Sequence, residues 1–347
     1  MQKSDFIQAL PKAEMHLHIE GAVPWDMVQA QARPLPSPPP WWATDYRFDS
    51  FSHFADTIRQ CYANTLTSIE SYYSAAQGIF KNLAAQNVRY VEISFSLGHA
   101  LSRKLALTDI VDAMKQAAPA DLIPRVFCGV SRSRRHVLRD NMIKSILNLP
   151  KLDGLDLHGD ENTQGPAPFA DLFAQARQRG LATKAHAGEL AGPQSLQDTI
   201  DTLQLTRIEH GVRAIEDEGI MSRLVTQAIT LDMCPTSNIK LRVVEDLAAY
   251  PIRQFHLRGI HITVNTDNPT ILGCSLTDEL HLLVERFDFS LRDLAQLQSN
   301  AFRVALIPAA KRAELLAELD NILARPVDMS GNQMVGGAGL EPATSCV

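Results

Sequence analysis

Residues 13–22 read AEMHLHIEGA, two histidines two apart in an apolar run with carboxylates on both sides. In an extended strand successive side chains face opposite ways. Glu14, His16 and His18 then share one side, and Met15, Leu17 and Ile19 the other. The two imidazoles start from Cα atoms about 7 Å apart, at roughly 3.3 Å of rise per residue, and their rings can meet on one ion at about 2.0–2.1 Å. Taken alone, such a pair is more often core or surface histidine than ligand. The same alternation, however, turns Lys184 and His186 inward in LATKAHAG (181–188), and Thr263, Asn265 and Asp267 inward in IHITVNTDN (260–268). His16, His18, His186 and Asp267 together make an open, nitrogen-rich ligand set. It suits one Zn²⁺ better than Mg²⁺ or Ca²⁺, which prefer oxygen, and leaves iron and manganese open.

Those residues need a scaffold that brings distant segments to one point. Eight short apolar runs recur along the chain: 13–19, 88–96, 123–131, 152–159, 181–188, 206–212, 229–238 and 260–268. Stretches with helical spacing separate them, among them 71–87, 108–118 and 168–180, the last stopping on Gly180. Strands alternating with helices indicate a parallel sheet, and eight strands close a (β/α)₈ TIM barrel of the α/β class. The gap from 20 to 87 is too long for one helix and contains RPLPSPPPWW (33–42), so the barrel carries an insertion after strand 1. Residues 33–42 read equally well as a lid over the barrel mouth or as a Pro-rich linker. We expect residues 1–329 to form one barrel domain. Residues 330–347, without periodicity, read as a disordered tail or sequence foreign to the fold.

In such barrels chemistry sits where strands end. Those positions hold His16 and His18 (strand 1), Asp160 and Glu161 (strand 4), His186 and Glu189 (strand 5), His210 (strand 6), Ser237 and Asn238 (strand 7) and Asp267 (strand 8). Each has a bland reading: His210 as a core histidine, HAGE as any loop, Asp267 as the start of a turn. The regular placement of polar residues at one end of apolar strands outweighs these. Glu14 and Lys184, lower on the inward faces, read as a buried structural pair. His53, His99 and His158 carry no supporting pattern.

The whole composition narrows the classes further. A net charge of −6 argues against nucleic acid as partner, and no apolar run approaches the roughly 18 residues of a membrane span. The five cysteines are scattered with no CxxC pair, which excludes a cysteine-built zinc site and suits a reduced, cytoplasmic protein. No pattern bears on oligomeric state.

PKAEMHLHIEGA, LDLHGDE, HAGE, RIEHG, CPTSN and NTDNP occur in that order, and as an ordered set they resemble the adenosine deaminase family of the amidohydrolase superfamily, a resemblance that extends over roughly residues 8–325. The resemblance implies a barrel with one zinc held by His16, His18, His186 and Asp267, a hydrolytic water completing the shell, and a small purine as substrate. It implies that Glu189 protonates ring N1, that His210 orients the attacking water and helps to deprotonate it, and that Asp267 takes up the water proton. It also implies that Gly159 offers its N–H to N3 and that Asn268 meets N7. Asn268 stands where the family commonly has aspartate, and Glu20 stands where adenosine-specific members commonly carry Asp near the ribose; His18 too borders the substrate. The strand-4 end lacks the lysine that bridges two metals in relatives, which favours one metal.

The expected reaction is hydrolytic removal of the 6-amino group of an adenine-containing compound. Lowering the pKa of water from 15.7 to about 7 on the metal corresponds to at most about 12 kcal/mol, far more than a general base supplies. Adenosine or deoxyadenosine is the first expectation for the substrate, with free adenine or 6-aminodeoxyfutalosine as alternatives, and RIEHGVRAIED leans toward members acting on these. A phosphoesterase on a similar barrel would need an Arg/Lys cluster that the catalytic loops lack. The nucleic-acid deaminases would need a PCxxC after His18–Glu20, and none follows. A non-catalytic nucleoside-binding relative would have lost a ligand or Glu189, and all are present.

Overall fold

The computed structural model describes residues 2–31, 35–133 and 140–325. The tail expected at 330–347, and Cys346 with it, lie outside the described residues. Among the described residues there are eight strands, one in each expected run: β1 (Lys12–His18), β2 (Val88–Ser96), β3 (Ile123–Ser131), β4 (Gly154–His158), β5 (Ala182–Ala187), β6 (Arg207–His210), β7 (Thr230–Met233) and β8 (His261–Val264). They are hydrogen-bonded in sequence order and every pairing is parallel. Beyond β8 the chain reaches back to β1. The His18 N–H donates to the Asp267 carbonyl and the Asp267 N–H to the His16 carbonyl, both at 3.0 Å. Helices fill the connections, so the architecture is a (β/α)₈ TIM barrel. Closure therefore sets a ligand-type carboxylate beside two ligand-type imidazoles.

Alternation builds two layers from each strand. Met15, Leu17, Leu155, Leu157, Ala185, Ile208, Leu231 and Ile262 are fully buried against the helices. Burying a residue of the Leu, Ile or Met size contributes roughly 1.5–3 kcal/mol, so this outer apolar layer carries the stability. Barrel interiors are usually filled with branched apolar side chains. Here the interior is polar instead: Glu92, Ser94, Asp156, Lys184, Arg207, Glu209, Asp232, Thr263 and Asn265 are all buried.

The helices begin and end on recognisable signals. Ser68 caps the helix Ile69–Ala85, accepting from the Ser71 N–H. The helix Ala170–Gln178 stops before Gly180, whose φ of +77° closes the turn that feeds β5. In the insertion, residues 36–38 and 40 are exposed, while Pro39 and Trp41 are buried. The Trp42 indole donates to the Thr270 carbonyl (2.6 Å), the Trp25 indole to Ser37 Oγ (3.1 Å), and Trp41 is buried. Trp42 thus anchors the segment on the helix Pro269–Leu272, just past the end of β8.

The expected Glu14–Lys184 pair does not form. The β1–β2 register shifts between Glu14 and Leu17, which breaks the alternation that placed Glu14 on the histidine face. Glu14 accepts from the Thr266 N–H (3.1 Å) and hydroxyl (2.8 Å), and burial raises its carboxyl to about 8. Lys184 donates to the Met15 carbonyl (2.8 Å) and sits 3.0 Å from Glu209 and 3.6 Å from Glu92.

Candidate metal centre and active site

At the ends of β1 and β5 three imidazole nitrogens converge. The Nε2 atoms of His16, His18 and His186 form a triangle with edges of 3.1, 3.2 and 3.2 Å. Asp267 Oδ1 stands 3.4 Å from both His16 Nε2 and His18 Nε2. Four ligand atoms placed tetrahedrally at 2.0–2.1 Å around an ion would be about 3.3 Å apart. The donor set and its spacing therefore fit a zinc-sized cation.

The charges behind the rings argue the same way. His186 Nδ1 faces Glu209 Oε2 (2.9 Å), the Leu157 carbonyl (3.2 Å) and Asp156 Oδ1 (3.3 Å), so that nitrogen must carry the proton and Nε2 the lone pair. His18 Nδ1 lies 3.8 Å from Asp156 Oδ2. With His16 and His18 presenting Nε2 in the same way, lone pairs would face one another across the triangle, an arrangement that calls for positive charge. Burial works against charge on His186, but Glu209 and Asp156 outweigh it and hold its pKa well above the ordinary value. A proton there and a divalent cation in the triangle answer the same demand. Burial keeps His16 and His18 neutral, with pKa values well below the usual one.

Asp267 is aimed by its surroundings. It takes a left-handed φ of 61°, accepts from the Ser237 hydroxyl on Oδ2 (2.7 Å) and from the Asn268 amide on Oδ1 (2.6 Å). Gly21 makes room for that amide: a Cβ there would stand 1.8 Å from Asn268 Oδ1. Strain of this kind gathers at functional sites.

Glu189 and His210 stand beside the triangle. Their nearest atoms, Oε1 and Nε2, are 3.5 Å apart, and the His210 ring lies 4.8 Å from that of His16. Glu209 precedes it on the inward face, so alternation alone would send His210 outward; its φ of 69° turns it in. Burial raises the Glu189 carboxyl to about 8 and lowers His210 to about 3, so an acid and a neutral imidazole coexist at pH 7. Glu161 fixes the loop that carries Glu189. Its carboxylate accepts from the N–H groups of Gly188, Glu189 and Leu190 at 2.8–2.9 Å and from the Ser195 hydroxyl at 2.7 Å.

The remaining expected residues lie around the mouth. Glu20 accepts from the Ser96 N–H (2.7 Å), and burial raises it to about 7. Gly159 directly follows β4 with a φ of +95°, a conformation that favours glycine. Asp160 stays with its own turn, accepting from the Asn162 N–H. The sequence reading passed over His158, whose ring stands 5.7 Å from that of His18, and over Asp156, Glu209 and Tyr250. For Asp156 and Glu209 the signal was available: both fall on the inward face of their strands. His99 is buried and bonds the Leu66 carbonyl, and His53 pairs with Asp49 near the surface.

The described cysteines are free thiols, and no helix among the described residues is long and apolar enough to cross a membrane. Residues 11–322 match the family described as adenosine deaminase. An adenine deaminase of Rhodospirillum rubrum is 33% identical over 331 residues, covering 90% of this chain and 97% of its own. An adenine deaminase of Acinetobacter baylyi is 30% identical, covering 93% and 100%. Among solved structures, adenine deaminase from Arthrobacter aurescens superposes with a TM-score of 0.83 at 26% identity, covering 90% of this chain and 99% of its own. A zinc-bound amidohydrolase from Burkholderia ambifaria does so at 0.80 and 23% identity, covering 92% and 93%.

Proposed function

Because the chain belongs to the adenosine deaminase family, and is accordingly a hydrolase of C–N bonds in cyclic amidines, we propose that it converts free adenine to hypoxanthine and ammonia with one zinc ion. The single observation that carries the chemistry is the triangle of Nε2 atoms closed by Asp267, beside a carboxyl kept protonated. The substrate reading departs from adenosine, the first expectation from the sequence. It is supported by the adenine deaminases that resemble this chain over nearly their whole length.

In this reading His16, His18, His186 and Asp267 hold the metal. A bound Zn²⁺ would supply a water whose pKa is lowered toward 7. Everything else falls to the chain. Addition at C6 of the purine breaks the ring's aromaticity and places electrons on N1. Glu189, protonated at neutral pH, gives its proton to that nitrogen. Asp267 accepts the water proton through the oxygen that Ser237 and Asn268 leave oriented. Gly159 offers its N–H to N3, while Asn268 can swing an amide N–H to N7. Glu20 and His18 border the far side, and the reduced thiols accord with a cytoplasmic enzyme.

Ammonia release by the zinc-loaded protein, measured on adenine, adenosine, deoxyadenosine and 6-aminodeoxyfutalosine, tests this. Adenine should be favoured in kcat/KM by about 10²-fold or more. A preference for any of the other three would sink the substrate assignment.

A further inference from the structure

Behind Glu189 and His210 lies a buried amide that none of the roles above uses. Asn238, in the helix Pro235–Lys240 that follows β7, is fully buried. Its Nδ2 stands 3.0 Å from His210 Nδ1 and 3.2 Å from Glu189 Oε1. Its Oδ1 accepts from the hydroxyl of Tyr250, also buried, at 3.0 Å. The phenol proton given to Oδ1 sets which end of the amide faces Tyr250. With Oδ1 taken by Tyr250, both N–H groups point at the catalytic pair. A primary amide nitrogen can only donate, so the His210 Nδ1 that it meets is an acceptor and carries no proton.

We propose that Asn238, locked by Tyr250, is a positioning residue that fixes His210 in the Nε2–H tautomer. The consequence rests on the deaminase reading. His210 then faces the reaction as a hydrogen-bond donor. It holds the attacking oxygen but does not remove the water's proton; that proton goes to Asp267. The same amide gives its second N–H to Glu189 Oε1, which leaves the acid proton on the other carboxyl oxygen, free for N1. One side chain thus sets the proton position on both partners.

The test uses zinc-loaded full-length protein with ¹⁵N-labelled histidine. Two-bond ¹H–¹⁵N correlations, assigned with a His210→Ala control, report which His210 nitrogen is protonated without any substrate. The wild type should show Nε2–H. Asn238→Asp replaces the donor by an acceptor, so the proton should move to Nδ1. Zinc content should be unchanged and KM held, while kcat falls by about 10²-fold or more, as for loss of a general acid–base contribution. Tyr250→Phe keeps the shape and frees the amide to turn; it should give a mixture of tautomers and a two- to tenfold fall in kcat, about the worth of one hydrogen bond. An Nδ1–H wild type, or an Asn238→Asp protein that keeps both the Nε2–H form and its kcat, overturns the proposal. Because the tautomer is read without substrate, an enzyme that proves inactive on adenine leaves this test standing.

Discussion

The barrel interior contains two buried, charged layers that differ in how their polar atoms are answered. In the lower layer Arg207 donates to both Glu92 oxygens (2.8 Å) and to Asp232. Thr263 donates to Asp232 (2.8 Å), and Tyr90 to Glu92 (2.8 Å). Apart from Arg207 Nε, which has no partner among the described residues, the donors there meet acceptors within the chain. In the upper layer three imidazole nitrogens and a carboxylate oxygen face one another across 3.1–3.4 Å, a set that one divalent cation would answer. Both layers lie out of water, where an unanswered charge is expensive. A closed network adds only order to the fold, whereas an open one stores affinity for something that the chain does not contain. Lys184 and Glu209 join the two layers: the lysine is 3.0 Å from Glu209, which is 2.9 Å from His186.

The upper layer should lose function without losing structure. Glu189→Gln keeps the size and the Asn238 contact but cannot cycle a proton through N1. We expect unchanged zinc content and thermal stability, with kcat down by about 10²–10⁴-fold. Near-normal turnover by the metal-replete variant would remove Glu189 from the mechanism. The lower layer should do the reverse. Arg207→Met removes the cation that bonds both Glu92 and Asp232, leaving only Lys184 near Glu92, and should cost about 3–5 kcal/mol in denaturant unfolding. Turnover per folded molecule should stay within about threefold, since no substrate reaches that depth. A loss of activity with stability intact would show that the two layers are not separable.

Removing the metal sharpens the same contrast. If the open layer is completed by a cation, chelation should lower stability by about 2.7–4.1 kcal/mol for an ion supplied at 100–1,000 times its Kd. The same decrement should appear in Arg207→Met, because distant and independent effects add. No change in melting temperature on chelation would mean that the cluster holds no stabilising ion.

What the sequence disclosed follows from which physical signals are periodic. Strand alternation exposed His16, His18, His186 and Asp267, and their common placement at strand ends suggested their convergence. It failed at Glu14, where a register shift breaks the period, and it had no way to reveal the φ of 69° that turns His210 inward. Tyr250 was illegible for another reason. It lies between helices after β7, and only the folded chain brings its hydroxyl to Asn238. Asp156 and Glu209, inward on β4 and β6, obey the same alternation, but a lone inward carboxylate in a short strand carries no ligand signature of its own.

The pH profile separates the layers by sign. Glu189 is raised to about 8 by burial, so its working form is the protonated one. Activity should persist below that value and fall tenfold per unit as pH rises through it. A cation in the triangle favours the carboxylate and moves this limb lower. The limb should be absent from the residual activity of Glu189→Gln; a limb that persists there belongs to another group. The closed layer predicts no activity change in the same range.

The smallest effect comes from a network with as many partners but more water. Asp293, in the first turn of the helix Leu291–Val304, accepts from the Ser290 N–H (2.9 Å) and meets Arg253 (3.1 Å) and His256 (3.0 Å). Burial raises its carboxyl slightly, but these bonds outweigh it and bring it down to about 2. A depressed carboxyl stabilises the fold above the unfolded value near 3.9, and that stability is lost as pH falls toward 2. Solvent screens the pairs, so Asp293→Asn should cost only about 0.5–1 kcal/mol at pH 7, and the difference from the parent should vanish by about pH 2. Three partners near the surface would then weigh several-fold less than the pairing of Arg207. A cost near that of Arg207→Met would show instead that the number of partners, and not their removal from water, decides what a charged cluster contributes.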